Sequence, residues 1–171
     1  MAKTEMSIID YAMRAEKDGI AFYMKAAKKF NDRELRDLFM KLAKEEARHL
    51  EYFIGIKAKA EKKGVDQCFR VETVSDYLET IIREGFFPTG DSMVKRLEKV
   101  KDVEGACAIA MEAEKNAIML YSELSKLSKD KDQKKILEDI TKEERSHIVM
   151  VGNMRADYDP AYGAWRFGRF L

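Results

Sequence analysis

From Thr4 to Phe30 the apolar positions Ile9, Ala12, Met13, Ala15, Ile20, Tyr23, Met24 and Ala27 recur at intervals of three and four, the period of an amphipathic helix, predicted over about residues 5–30. Asn31-Asp32 supplies a break and an N-cap, and the period resumes through Leu35, Leu38, Phe39, Leu42, His49, Leu50 and Phe53, predicting a second helix over 33–62. Two further helices are predicted at 103–127 and 131–154, separated by Ser128-Lys129-Asp130. Residues 64–102 must join the two pairs, and a structureless span of that length is unusual in a compact domain. A short helix from Ser75 to Glu84, a turn from Gly85 to Gly90 and another helix from Met93 to Val100 are expected there. The tail, 157–171, gathers Tyr158, Tyr162, Trp165, Phe167 and Phe170, too apolar a set for a disordered end, and is expected to dock on its own bundle or on a second subunit.

The pattern also repeats. Residues 12–23, AMRAEKDGIAFY, match 110–121, AMEAEKNAIMLY, at seven of twelve positions with an offset of 98. The same offset relates K-E-E-A-R-H at 44–49 to K-E-E-R-S-H at 142–147, each of which ends in one of the chain's two histidines. The chain thus reads as two related helical hairpins, each with one A-x-E-K…Y segment and one E-E-x-x-H segment.

The turns lie midway between Glu16 and Glu46 in one half and between Glu114 and Glu144 in the other, so both members of each pair stand about 22 Å from their turn and level with each other. Residues three apart share a helix face, so His49 points with Glu46 and His147 with Glu144. If both hairpins turn this face inward, four carboxylates and two imidazoles meet in one core. Nothing cationic on the same faces offsets them, and burying unpaired carboxylates costs several kcal/mol each. Two divalent cations would neutralise four carboxylates. One Glu from each of two helices plus Glu-x-x-His from each of the other two is the ligand set of ferritin-like di-iron and di-manganese bundles. Oxygen and imidazole ligation suits iron or manganese, and the lack of thiolates argues against structural zinc. Eighteen of the 171 residues are Glu, so composition alone would place Glu three before both histidines in about one sequence in a hundred.

Composition agrees with an all-α, single-domain reading: two prolines, nine glycines, and 37% charged residues of mixed sign. A formal net charge of +1 with no basic block makes nucleic acid an unexpected partner. No window is apolar for long enough to be a signal peptide or a membrane span, which points to the cytoplasm. Cys68 and Cys107 are 39 positions apart, without metal-site spacing, and are expected to be reduced structural thiols.

On these residues the sequence resembles the rubrerythrin-like branch of the ferritin-like superfamily across nearly all of 5–154. The resemblance implies a ferritin-like four-helix bundle of two antiparallel hairpins related by a pseudo-twofold, with a long helical crossover between its second and third helices. It implies Glu16, Glu46, His49, Glu114, Glu144 and His147 as ligands of two Fe ions, with Mn possible, Glu46 and Glu144 bridging. Rubrerythrins usually add a ligand Glu one turn after the third-helix glutamate; here that position is Ala117, its mate in the first helix is Gly19, and Glu112 lies on the wrong face to substitute. The six-residue set is closer to that of bacterioferritins. Glu45 and Glu143 are expected to orient the imidazoles of His147 and His49, respectively, across the pseudo-twofold. Tyr23 and Tyr121, each seven residues past a ligand Glu, are candidates to hydrogen-bond a ligand carboxylate or carry an electron. The implied activity is reduction of hydrogen peroxide or O2 by a homodimer, with an external electron donor such as a rubredoxin, since no rubredoxin segment is read here. Ferroxidase-type iron handling, or a scaffold whose metal is structural or absent, are the alternatives.

Overall fold

The computed structural model describes residues 8–62, 90–128 and 130–166. Six helices follow in order among the described residues: α1 (Ile8–Lys29), α2 (Arg33–Lys62), α3 (Gly90–Lys99), α4 (Val103–Leu127), α5 (Lys131–Tyr158) and α6 (Pro160–Arg166). Among the described residues there is no strand, and no helix is long and apolar enough to cross a membrane. The helix expected at 75–84, all but Gly90 of the turn expected at 85–90, Cys68, and Phe167 and Phe170 of the tail lie outside the described residues.

The starts of α2, α4 and α5 are set by aspartates, whose side chains satisfy backbone N–H groups that have no partner within the helix. Asp32 accepts from the Leu35 N–H at 2.8 Å, Asp102 from Gly105 at 2.8 Å, and Asp130 from Asp132 at 2.9 Å and Gln133 at 3.1 Å. Asp32 and Asp130 differ by the repeat offset, so the internal symmetry extends to the caps.

α1 pairs with α2 and α4 with α5 as antiparallel hairpins. Their turns lie at opposite ends of the bundle: Leu35 and Ala27, next to the first turn, share a buried cluster with Ala106 and Cys107 from the start of α4. Ile9 and Ala12, from the start of α1, share another with Leu124 and Leu137, next to the second turn. α2 and α4 therefore run parallel, and the chain between them must travel the length of the bundle. α3 belongs to that crossover and packs on α1 and α4 through buried Met93 and Leu97. Its polar side is tied down by Lys25 to Glu98 and by the Arg96 fork on Glu112, at 2.9 and 2.6 Å.

The extents of two helices differ from the sequence expectation. α3 begins at Gly90 and ends at Lys99, where Met93 to Val100 was expected. α5 runs to Tyr158, four residues beyond the predicted end at 154. Apolar periodicity fades after Met154, but nothing there breaks a helix until Pro160, which cannot donate into the preceding turn. The extra turn also carries Tyr158 to Asp32 at the first turn. In the tail, Pro160 opens α6, with Asp159 accepting from the Tyr162 N–H at 3.0 Å. α6 docks on its own chain, where the Arg155 guanidinium lies 4.4 Å from the centre of the Tyr162 ring.

Candidate metal centre

Between the two apolar clusters lies a polar layer. The structure brings Glu16 (α1), Glu46 and His49 (α2), Glu114 (α4), and Glu144 and His147 (α5) together, each no more than 5% exposed. They form two quartets, Glu16-Glu46-His49-Glu144 and Glu46-Glu114-Glu144-His147; the donor atoms of each lie within 4.8 Å of one another, so either could hold a metal ion.

Glu46 and Glu144 belong to both quartets, and each divides its oxygens between them. Glu144 Oε1 is 3.0 Å from His49 Nδ1, and its Oε2 is 2.8 Å from His147 Nδ1. Glu46 Oε2 is 3.6 Å from His49 Nδ1, and its Oε1 is 3.5 Å from His147 Nδ1. Glu16 approaches only His49, at 3.8 Å, and Glu114 only His147, at 3.4 Å. Two shared carboxylates and two terminal ones are what a pair of adjacent cations requires.

The imidazoles are pinned from behind. His49 Nε2 lies 2.8 Å from Glu143 Oε2, and His147 Nε2 lies 2.9 Å from Glu45 Oε2. A carboxylate can only accept, so each Nε2 carries a proton and each Nδ1 faces the quartets, able to ligate once its own proton is displaced. The terminal glutamates are held across the hairpins: Tyr23 donates to Glu114, and Tyr121 donates to Glu16.

Five buried atoms in this layer make no well-aligned hydrogen bond, although Glu144 approaches the imidazoles at 3.0 and 2.8 Å: Glu16 Oε2, both oxygens of Glu144, and the Nδ1 atoms of His49 and His147. Native interiors rarely leave such atoms unsatisfied, and here all five belong to the two quartets. The donor set thus fits two divalent cations, which would take all five lone pairs. The electrostatics agree. Burial and the neighbouring Glu46 push Glu16 and Glu114 well above the ordinary carboxylate range. Glu46 is held below that range: burial opposes this, but contacts with Glu16 and both imidazoles prevail. Burial works against a charged His147, yet Glu114, Glu144 and Glu46 carry it up to about 12, and His49 moves the same way. With protons as its only cations the layer must retain them, and metal binding would replace them.

Sequence reading missed the space beside this layer. A cavity of about 50 Å³ opens between α1 and α4, lined by Glu16, Glu46, Glu114, Tyr23 and Tyr121 as well as Gly19, Ala117 and Met93. A Cβ at Gly19 would stand 3.5 Å from Glu46 Cγ, so glycine leaves open the volume next to a shared carboxylate. The signal was present as two short residues, Gly19 and Ala117, each three positions after a ligand-type glutamate, but their common cavity depends on how α1 meets α4. Glu112 stays outside this layer, paired with Arg96.

The fold and site define a ferritin-like helical bundle with a buried carboxylate–histidine layer able to hold metal. The rubrerythrin family profile matches residues 7–154, and the chain belongs to that family. Its fold is similar to that of a solved Thermotoga maritima protein described as a ferritin-like diiron-carboxylate protein. The two are 24% identical with a TM-score of 0.68, and the match covers 92% of this chain and 99% of that one. No curated protein matches the chain.

Proposed function

We propose that the chain is a di-iron redox protein that reduces hydrogen peroxide or O2 with electrons from an external donor such as a rubredoxin, acting as a homodimer in the cytoplasm. Manganese could use the same donors. The observation that carries this reading is the convergence of five unsatisfied buried donor atoms beside a cavity large enough for a small oxidant. Glu16, Glu46, His49, Glu114, Glu144 and His147 would hold the metals, which when bound supply the electrons that reduce the oxidant.

The chain's own groups set the conditions. Glu45 and Glu143 keep the Nε2 protons in place, so that each Nδ1 is free to ligate. Tyr23 and Tyr121 hold the terminal carboxylates. Burial, with Glu114 beside Tyr23 and Glu16 beside Tyr121, pushes both phenols well up, so each keeps its proton on Oη at neutral pH as a hydrogen-bond donor. Gly19 and Ala117 leave room next to Glu46, and the apolar clusters on either side exclude water.

Elemental analysis after anaerobic Fe(II) loading tests the reading, followed by stopped-flow oxidation of the reduced protein with peroxide and with O2. Two irons per chain and oxidation faster than that of free Fe(II) are expected. A folded chain that takes up almost no iron overturns it. Ala117 favours one second reading, because without the added glutamate the donor set matches the bacterioferritin pattern and an iron-oxidising role. Release of Fe(III) after each turnover, together with a cage-sized particle on gel filtration, would select it.

A further inference from the structure

We propose that Arg48 makes the two halves of the metal centre unequal, weakening divalent-metal binding at the His49 quartet relative to the His147 quartet. The inference rests on the reading that the layer binds two ions. Each imidazole gives its Nε2–H to a carboxylate, and that contact raises the donor strength of the opposite nitrogen. On the His49 side the accepting atom is Glu143 Oε2, at 2.8 Å, and that same oxygen also accepts from Arg48 Nη2. The guanidinium draws off negative charge that would otherwise act on the imidazole, leaving His49 Nδ1 the poorer ligand.

Among the described residues the other half lacks this device. His147 donates to Glu45 Oε2 at 2.9 Å, and the residue related to Arg48 by the repeat offset is Ser146. Ser146 turns its hydroxyl back to the Lys142 carbonyl, 3.2 Å away on its own helix, and does not serve Glu45. Among the described residues no lysine or arginine shares Glu45 Oε2 with His147. The six ligand-type residues obey the internal symmetry, and the charge behind the imidazoles breaks it.

Solvent moderates the effect. The Arg48 side chain is 61% exposed and that of Glu143 40% exposed, so a difference of about three- to ten-fold in affinity is expected, below the 10–100-fold typical of removing an imidazole's partner outright.

Anaerobic Co(II) titration of the metal-free full chain is the test, read by visible absorption and by the shifted imidazole N–H protons in NMR, one per histidine. The parent should fill in two steps, with the His147 signal first; that signal is identified by its displacement in Glu45→Gln. Arg48→Ala should tighten the weaker step several-fold and merge the two. Ser146→Arg should weaken the stronger step and merge them at the lower affinity. A purely structural Arg48, one that only pins α2 to α5, would alter stability in Arg48→Ala without changing the ratio of the steps. Two bound ions with equal steps in the parent, or a ratio unmoved in both variants, would overturn the inference while leaving the dinuclear centre standing. A folded parent that binds no Co(II) would overturn the centre and the inference with it.

Discussion

Around Tyr23 the first hairpin is aromatic: Phe22 lies edge-on at 5.2 Å between ring centres, and Phe39 stacks at 5.9 Å. Around Tyr121 the second hairpin is aliphatic, because the residues at the repeat offset are Leu120 and Leu137, both buried. The phenol of Tyr121 meets its aromatic neighbour, Phe53, from the opposite hairpin at 5.2 Å. Both tyrosines nonetheless donate to a terminal glutamate of the other half. Packing positions have exchanged Phe for Leu, while the polar layer repeats residue for residue. Apolar packing needs volume and shape, which several side chains can fill once their neighbours adjust. A metal-binding layer needs particular lone pairs at particular points.

The largest test of that contrast removes the shared carboxylates. A Glu46→Ala, Glu144→Ala double variant should lose all bound iron, as measured by elemental analysis, while circular dichroism of the metal-free protein stays helical, since removing crowded buried carboxylates relieves the layer. Next comes packing: Phe39→Ala should cost about 3–5 kcal/mol and Leu137→Ala about 2–5 kcal/mol in urea unfolding, and neither should change metal stoichiometry. If Leu137→Ala abolished binding, packing and ligation could not be separated in this way. Tyr23→Phe and Tyr121→Phe should each cost about 1–3 kcal/mol in the metal-free protein, because a buried carboxylate loses its donor, and the two losses should be alike despite the different surroundings.

The smallest effects concern the paired caps. Asp130→Ala should cost about 1 kcal/mol at neutral pH by thermal unfolding. The Leu35 N–H, and after it the Tyr158 hydroxyl, hold the Asp32 carboxyl below its ordinary value. Its contribution is therefore present above the unfolded carboxylate range and lost as the pH falls through the lower folded value. The stability gap between Asp32→Ala and its parent should accordingly be full at pH 7 and close progressively below about pH 4.

Much of this architecture was legible in the chain. α2 and α4 lie where periodicity and break residues placed them, because amphipathic period and capping act locally. The level pairing of Glu16 with Glu46 followed from counting residues to a turn, which is rigid arithmetic once both arms are helical. The last turn of α5 and the whole of α6 were not legible: the first lacks apolar period, and the second depends on Pro160 restarting a helix against Arg155. Nor was the Arg48 contact with Glu143, which joins two helices across the bundle through flexible side chains. The cavity escaped for a similar reason, being a property of the gap between α1 and α4.

Neither hairpin completes a quartet alone: the first lacks Glu144, and the second lacks Glu46. Ions bound there would act as rivets through both halves. Escape of metal would then break ligands from both halves, and exchange with a chelator should be slower than ligand substitution at an exposed ion. Retention would then be a property of two hairpins held together, as much as of the ligands that either one supplies.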